Sequence, residues 1–165
     1  MESNRVSIVF CLDPDDWHAH PSERVWGEPV PSEGRHLFRL LNSPFLVRGA
    51  NFCDVVEANL GPDNDFHFAR VVEYSGHSTY MILVPVESKD FTEIWKELEP
   101  LGCSYETTKV DTAMGLMTLY SLDVPESTNL PAAYAVLKRA HRQGKLLLQE
   151  GFAAVTRNKL RATRD

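Results

Sequence analysis

The sequence predicts an α+β fold, and three observations carry that expectation. Residues 5–75 hold five short stretches of strand character split by turn residues. Residues 76–156 instead interleave apolar strands with two stretches of helical spacing. The chain has 165 residues, 43% of them hydrophobic and 24% charged, which suits a globular protein with a core of its own.

The first strand is read from Val6, Ile8, Phe10 and Leu12, which alternate with Ser7, Val9 and Cys11. PDDWHAHPSE then forms a polar loop. A second strand runs over 24–28 and is expected to stop at Pro29 and Pro31. Ser32-Glu33-Gly34 turns into a third strand over 36–41, and the loop 42–49 leads to a fourth over 54–60. Gly61-Pro62-Asp63-Asn64-Asp65 is a turn cluster, and a fifth strand over 66–74 alternates Phe66, Phe68 and Val72 with His67, Ala69 and Val71. Five such strands at close spacing predict a small bent sheet or partial barrel, here the unit 1–75.

Thr79 to Val86 is a continuous apolar run, as expected of a central strand. Asp90 with Glu93 suits a capping box, and Phe91, Ile94, Trp95, Leu98 and Leu101 follow at helical spacing. A polar strand over 103–110 and an apolar one over 116–124 come next. Asn129 or Thr128 caps a second helix whose buried stripe is Leu130, Ala133, Tyr134, Leu137 and Ala140, with Gly144 at its end. A last strand spans 145–155, interrupted at Gly151. The order β-α-β-β-α-β is the ferredoxin-like one, so the unit 76–156 is predicted to be ferredoxin-like with its first and third strands central. The polar strand bearing Lys109 then falls at an edge.

Charge is placed unevenly. The last fifteen residues carry Arg157, Lys159, Arg161 and Arg164 against Asp165, so +3 sits there and −9 on the remaining 150 of a chain whose net charge is −6. A basic, flexible tail over 157–165 is expected. An acidic body repels nucleic-acid phosphates and steers towards a basic partner, although solubility alone also accounts for it. Cys11, Cys53 and Cys103 are odd in number and widely spaced, which suits reduced thiols in the cytoplasm. No stretch has the length or apolarity of a membrane span or of a signal peptide.

Reaction chemistry is hard to find in the residues. His18 and His20 lie beside Asp13, Asp15, Asp16 and Glu23, but in a loop and without a third soft ligand, so no metal is expected. Gly76, His77 and Ser78 sit where the first unit hands over to the second. His77 with Ser78, Cys53 or Asp54 is the alternative junction site, whereas the plain reading is a turn in which His77 hydrogen-bonds across the junction. No catalytic residue is assigned, and no phosphate-cradling glycine loop or cofactor motif is present. Phe66 and Phe68 are read as core packing. Trp17 stands in an acidic loop, where it either anchors an interface or folds back over the first sheet. Trp26 belongs to core or surface.

At Val25-Trp26-Gly27-Glu28-Pro29, Asn42-Ser43-Pro44-Phe45 with Gly49, Cys53-Asp54-Val55-Val56 and Val72-Glu73-Tyr74-Ser75-Gly76-His77-Ser78-Thr79, the chain resembles an uncharacterised bacterial family, domain of unknown function 4265. The resemblance covers nearly the whole length and implies a small cytoplasmic bacterial protein; it brings no catalytic residues. The expected function is that of a non-catalytic inhibitor, most concretely an immunity protein occluding a basic toxin through Asp13, Asp15, Asp16, Trp17, Glu23 and Glu28. The alternatives are a small-ligand binder or enzyme with a cleft near His77, and an oligomerising regulatory domain.

Overall fold

The computed structural model describes residues 4–152. The tail 157–165 and the end of the last expected strand lie outside the described residues. Five strands come first: β1 (Val6–Cys11), β2 (Ser22–Val30), β3 (Leu37–Leu40), β4 (Val55–Leu60) and β5 (Phe66–Glu73). Then follow β6 (Ser78–Pro85), α1 (Asp90–Leu98), β7 (Ser104–Thr112), β8 (Gly115–Val124), α2 (Leu130–Arg142) and β9 (Leu147–Phe152).

β1 to β5 form a closed barrel, where alternation alone suggested a partial one. Sequential antiparallel pairing runs from β1 to β5, and β5 returns to β1 in parallel through Ile8↔Phe66 and Val9↔His67. Its interior holds Ile8, Phe10, Val25, Phe38, Leu40, Val56 and Ala58. Phe66 and Phe68 pack against this core, Phe68 stacking on Phe10 at 4.4 Å and Phe66 lying edge-on to Phe38 at 4.8 Å. β2 does not stop at Pro29. Residues 28–30 lie beyond the start of β1 and pair with β3 alone, so the missing N–H of Pro29 breaks no ladder bond on the open side.

The second sheet has the order β7-β8-β6-β9, every neighbour antiparallel. β6 and β8 are central, and polar β7 with Lys109 is an edge strand. Strand alternation gives this sheet two buried faces. Tyr80, Ile82 and Val84 of β6 meet Phe91, Ile94 and Leu98 of α1 and Ala133, Val136 and Leu137 of α2. Met81 and Leu83 point the other way, with Val110, Met117 and Leu119, and that face receives Trp17, Phe45 and Leu46 from loops of the barrel. β6 thus belongs to two cores.

Helix capping departs from expectation in one place. The N-cap of α1 is Lys89, without a side-chain cap bond, and Asp90 is already the first helical residue. Ser88 Oγ accepts the Asp90 N–H at 3.1 Å and donates to Asp90 Oδ2 at 2.8 Å, while Glu93 pairs with Lys96. Asn129 does cap α2, its side chain accepting from Ala132 N at 3.1 Å, and Gly144 takes φ +71° just past the helix. Among the described residues no helix is long and apolar enough to cross a membrane.

Candidate functional site

Two regions gather unusual side chains, both where the barrel meets the second sheet. The first is a polar seam along one end of β6 and β8. Asp54 is fully buried; its Oδ2 accepts the Asn51 N–H at 2.8 Å and its Oδ1 accepts the Ser75 N–H at 2.7 Å and the Ser75 hydroxyl at 2.8 Å. Thr79 Oγ1 donates to Asn51 Oδ1 at 2.8 Å, tying barrel loop to sheet. Asn51 and Thr79 are buried, so these bonds satisfy groups that water cannot reach.

His77 sits at the rim of this seam. Its Nδ1 lies 2.8 and 3.0 Å from the two oxygens of Asp123, a carboxylate buried on β8, and its ring meets the Phe52 ring edge-on at 5.4 Å. Such a carboxylate fixes the imidazole with its proton on Nδ1. Burial pushes the Asp123 carboxyl above its ordinary range, and the His77 bond pulls it partly back. Gly76 holds φ +89°, and a Cβ there would stand 2.7 to 2.9 Å from the side chain of Glu126. Gly76→Ala is therefore expected to cost at least about 1–2 kcal/mol, since the backbone strain is joined by a clash with Glu126 Cβ that no side-chain rotation relieves, and urea denaturation measures it.

The cysteines near this seam are not poised for attack. Burial raises the Cys53 thiol above its usual range, with Arg39 opposing, and burial pushes Cys103 up to about 11. A raised thiol holds little thiolate near neutral pH. Ser78 is buried at the start of β6. Of the junction residues, His77 bonds Asp123, and its N–H donates at 3.2 Å to the Ser75 hydroxyl that also donates to Asp54; Gly76 instead faces Glu126. Asp123 was missed; its signal was a carboxylate closing the apolar run 116–124.

The second region is an apolar pocket of about 440 Å³ between the β1–β2 loop and the second sheet. Trp17 forms one wall, Met81 and Leu83 of β6 the floor, Thr112 to Met114 a second wall, and Leu147 to Gln149 of β9 a third. A smaller hollow of about 270 Å³ shares Leu83, Met114 and Leu147 with it. Met114 is 66% exposed, and Leu116 and Leu147 are also exposed, so an apolar surface continues outward from the pocket.

The expected contact residues separate into two groups. Trp17 does not stand out as an exposed anchor; it is half-buried, folded back on the second sheet rather than the first. Asp16 is engaged by the Arg48 guanidinium at 3.1 Å and by the Trp17 N–H at 2.8 Å. Glu23 accepts three backbone N–H bonds, from Phe45 at 2.6 Å, Leu46 at 2.8 Å and Val47 at 3.0 Å, which makes it a clamp on the loop that covers the sheet. Asp13 and Asp15 are exposed beside the pocket wall. Glu28 is exposed too, but six residues further along β2 than Ser22, roughly 20 Å from that loop, and it faces Arg39 at 3.9 Å. Trp26 is half exposed on the barrel exterior under the Arg5 guanidinium. His18 is buried and His20 exposed, and no group of three metal-ligating side chains occurs among the described residues.

A closed five-stranded barrel docked on a helix-backed antiparallel sheet defines a β-rich α+β protein, with a hydrogen-bonded seam and an apolar pocket at the join. Residues 23–148 match the family described as Domain of unknown function (DUF4265), and the chain belongs to that family. Among solved structures it is similar to one titled "Novel crystal structure of a hypothetical protein from Neisseria gonorrhoeae". That likeness has TM-score 0.62 and 17% identity, covering 92% of this chain and 95% of the other. It shows a shared fold. No curated protein matches the chain.

Proposed function

We propose that this protein works by binding a partner rather than by turning over a substrate, most concretely as a cytoplasmic immunity protein that occludes a basic bacterial toxin. The observation that supports this is the apolar pocket of about 440 Å³ with exposed Asp13 and Asp15 on the loop that forms its wall. A partner side chain enters the pocket while Lys or Arg residues beside it meet the two carboxylates. The net charge of −6 speeds encounter with a basic surface. The raised thiols of Cys53 and Cys103 weigh against a cysteine nucleophile beside His77. We read 76–156 as a ferredoxin-like unit, supported by the order β7-β8-β6-β9 with its first and third strands central.

The probe is a basic protein recovered by co-purification with this chain. Asp13→Lys/Asp15→Lys is expected to weaken its binding by about tenfold or more, with a matching loss of salt dependence. An unchanged affinity removes the proposed surface. The pocket volume also suits a small apolar ligand, a second reading that places the cleft under Trp17 instead of at His77.

A further inference from the structure

The loop that carries Trp17 is held by its neighbour. His18 is 6% exposed, and its Nδ1 accepts the His20 N–H at 3.0 Å, so that nitrogen carries no proton. Its ring stands edge-on to the Trp17 indole at 5.4 Å. Between them and the next strand, Ala19 adopts φ +54°, a left-handed conformation that costs roughly 1–2 kcal/mol without glycine. The turn is kept in place by Ala19 N donating to Asp16 O at 2.9 Å and by the His20–His18 bond.

We infer that His18 is a proton-operated latch on the pocket wall: protonating its Nδ1 turns the acceptor of the His20 N–H into a second donor and releases the Trp17 loop. This adds regulation to the pocket and rests on the binding reading for its consequence. The released loop relaxes the strain at Ala19, which favours the open form once the bond is lost.

The charged groups around the ring are mixed. Asp16, with Oδ2 3.9 Å from Nε2, and Asp13 favour the cation, whereas His20 and Arg48 of the barrel loop oppose it. Burial outweighs them and holds the imidazole below its ordinary 6.5. The sign follows from that direction. The unfolded or released chain takes the proton more readily, so the closed loop is fully favoured above 6.5 and is lost as pH falls through the lower folded value.

The full chain labelled with 5-fluorotryptophan tests this by ¹⁹F NMR from about pH 8 to about pH 5. Three resonances arise from Trp17, Trp26 and Trp95, and Trp17→Phe assigns the first. The Trp17 resonance is expected to move to a solvent-exposed position with a midpoint below 6.5. The open-to-closed ratio rises by at most about tenfold for each unit the pH falls through the transition, the limit for linkage to one proton. His18→Asn, whose side-chain oxygen accepts the His20 N–H without titrating, abolishes the transition. A Trp17 resonance that stays put, or one that still moves in His18→Asn, overturns the latch. Should that variant fail to fold, the titration of the ¹³C-labelled His18 ring in the unsubstituted protein must share the Trp17 midpoint, and two different midpoints also overturn it. Neither outcome depends on a partner, so the latch and the binding proposal fail separately.

Discussion

Asp54→Ala is expected to remove about 3–5 kcal/mol of stability, enough to leave a protein of this size partly unfolded at ordinary temperature. Its carboxylate ties together two chain segments that meet at one end of the barrel: it accepts the Asn51 N–H before β4, and the Ser75 N–H and hydroxyl after β5. Alanine strips a charge-assisted acceptor from two backbone amides at once, at a fully buried position. The Ser75 hydroxyl keeps the Phe52 carbonyl at 2.8 Å, so it is the least affected donor. Asp54→Asn separates charge from shape. An amide offers one acceptor oxygen, so its NH₂ must face either Asn51 N or Ser75 N as donor against donor, and nearly the whole loss is expected again. Urea midpoints at constant m-value measure both variants. A loss below about 1 kcal/mol for Asp54→Ala contradicts this account.

Glu23→Ala carries the second large effect, about 2–4 kcal/mol, and acts on the face that bears the pocket. The three amides it holds belong to Phe45, Leu46 and Val47. Phe45 and Leu46 cover Met81, Val110, Met117 and Leu119. A second carboxylate, Glu106 on β7, takes the Ser43 N–H at 3.0 Å, and the Ser121 hydroxyl of β8 donates to the Pro44 carbonyl. Losing Glu23 therefore detaches the far end of the loop while Glu106 keeps the near end. Increased amide exchange confined to 45–47 and the β6–β8 face is the expected signature. Burial raises the Glu23 carboxyl above its ordinary 4.5, its three amide bonds pulling the other way. The folded chain therefore binds that proton more tightly than the unfolded one, and ionising it costs stability as pH rises from about 4.5 through the folded value. Glu23→Gln lacks that dependence, so the advantage of the native residue over Gln should be largest in acid and shrink as pH rises.

Local pattern made most of this fold readable. The alternation at 6–12 and 66–74 and the apolar runs at 79–86 and 116–124 report which face of a strand is covered, and each became a strand. What stayed hidden depends on partners distant along the chain. Nothing near Glu23 says that its acceptors' donors lie at 45–47, so it read as a free surface carboxylate. For Trp17 the acidic neighbours leave open whether it anchors an interface or folds back, because its packing partners lie more than sixty residues away on β6 and β8. The closure of the barrel rests on two parallel pairs that no turn signals. Pro29 ends a strand only where both edges are paired, and whether they are is a fact of topology. The α1 cap lies one residue earlier than Asp90 and Glu93 imply, because Ser88 just before it holds both the N–H and the carboxylate of Asp90.

β6 has covered residues on both sides, and its pairing to β8 runs through eight consecutive positions without a bulge. Such a strand has almost no neutral substitutions. Tyr80 and Ile82 answer to one set of neighbours, while Met81 and Leu83 between them answer to another. Sequence drift in the helical layer and drift in the barrel loops must both be accommodated through these few side chains. The two halves of the molecule are consequently bound to a common evolutionary history, and grafting either onto a foreign scaffold would require redesigning the wall they share.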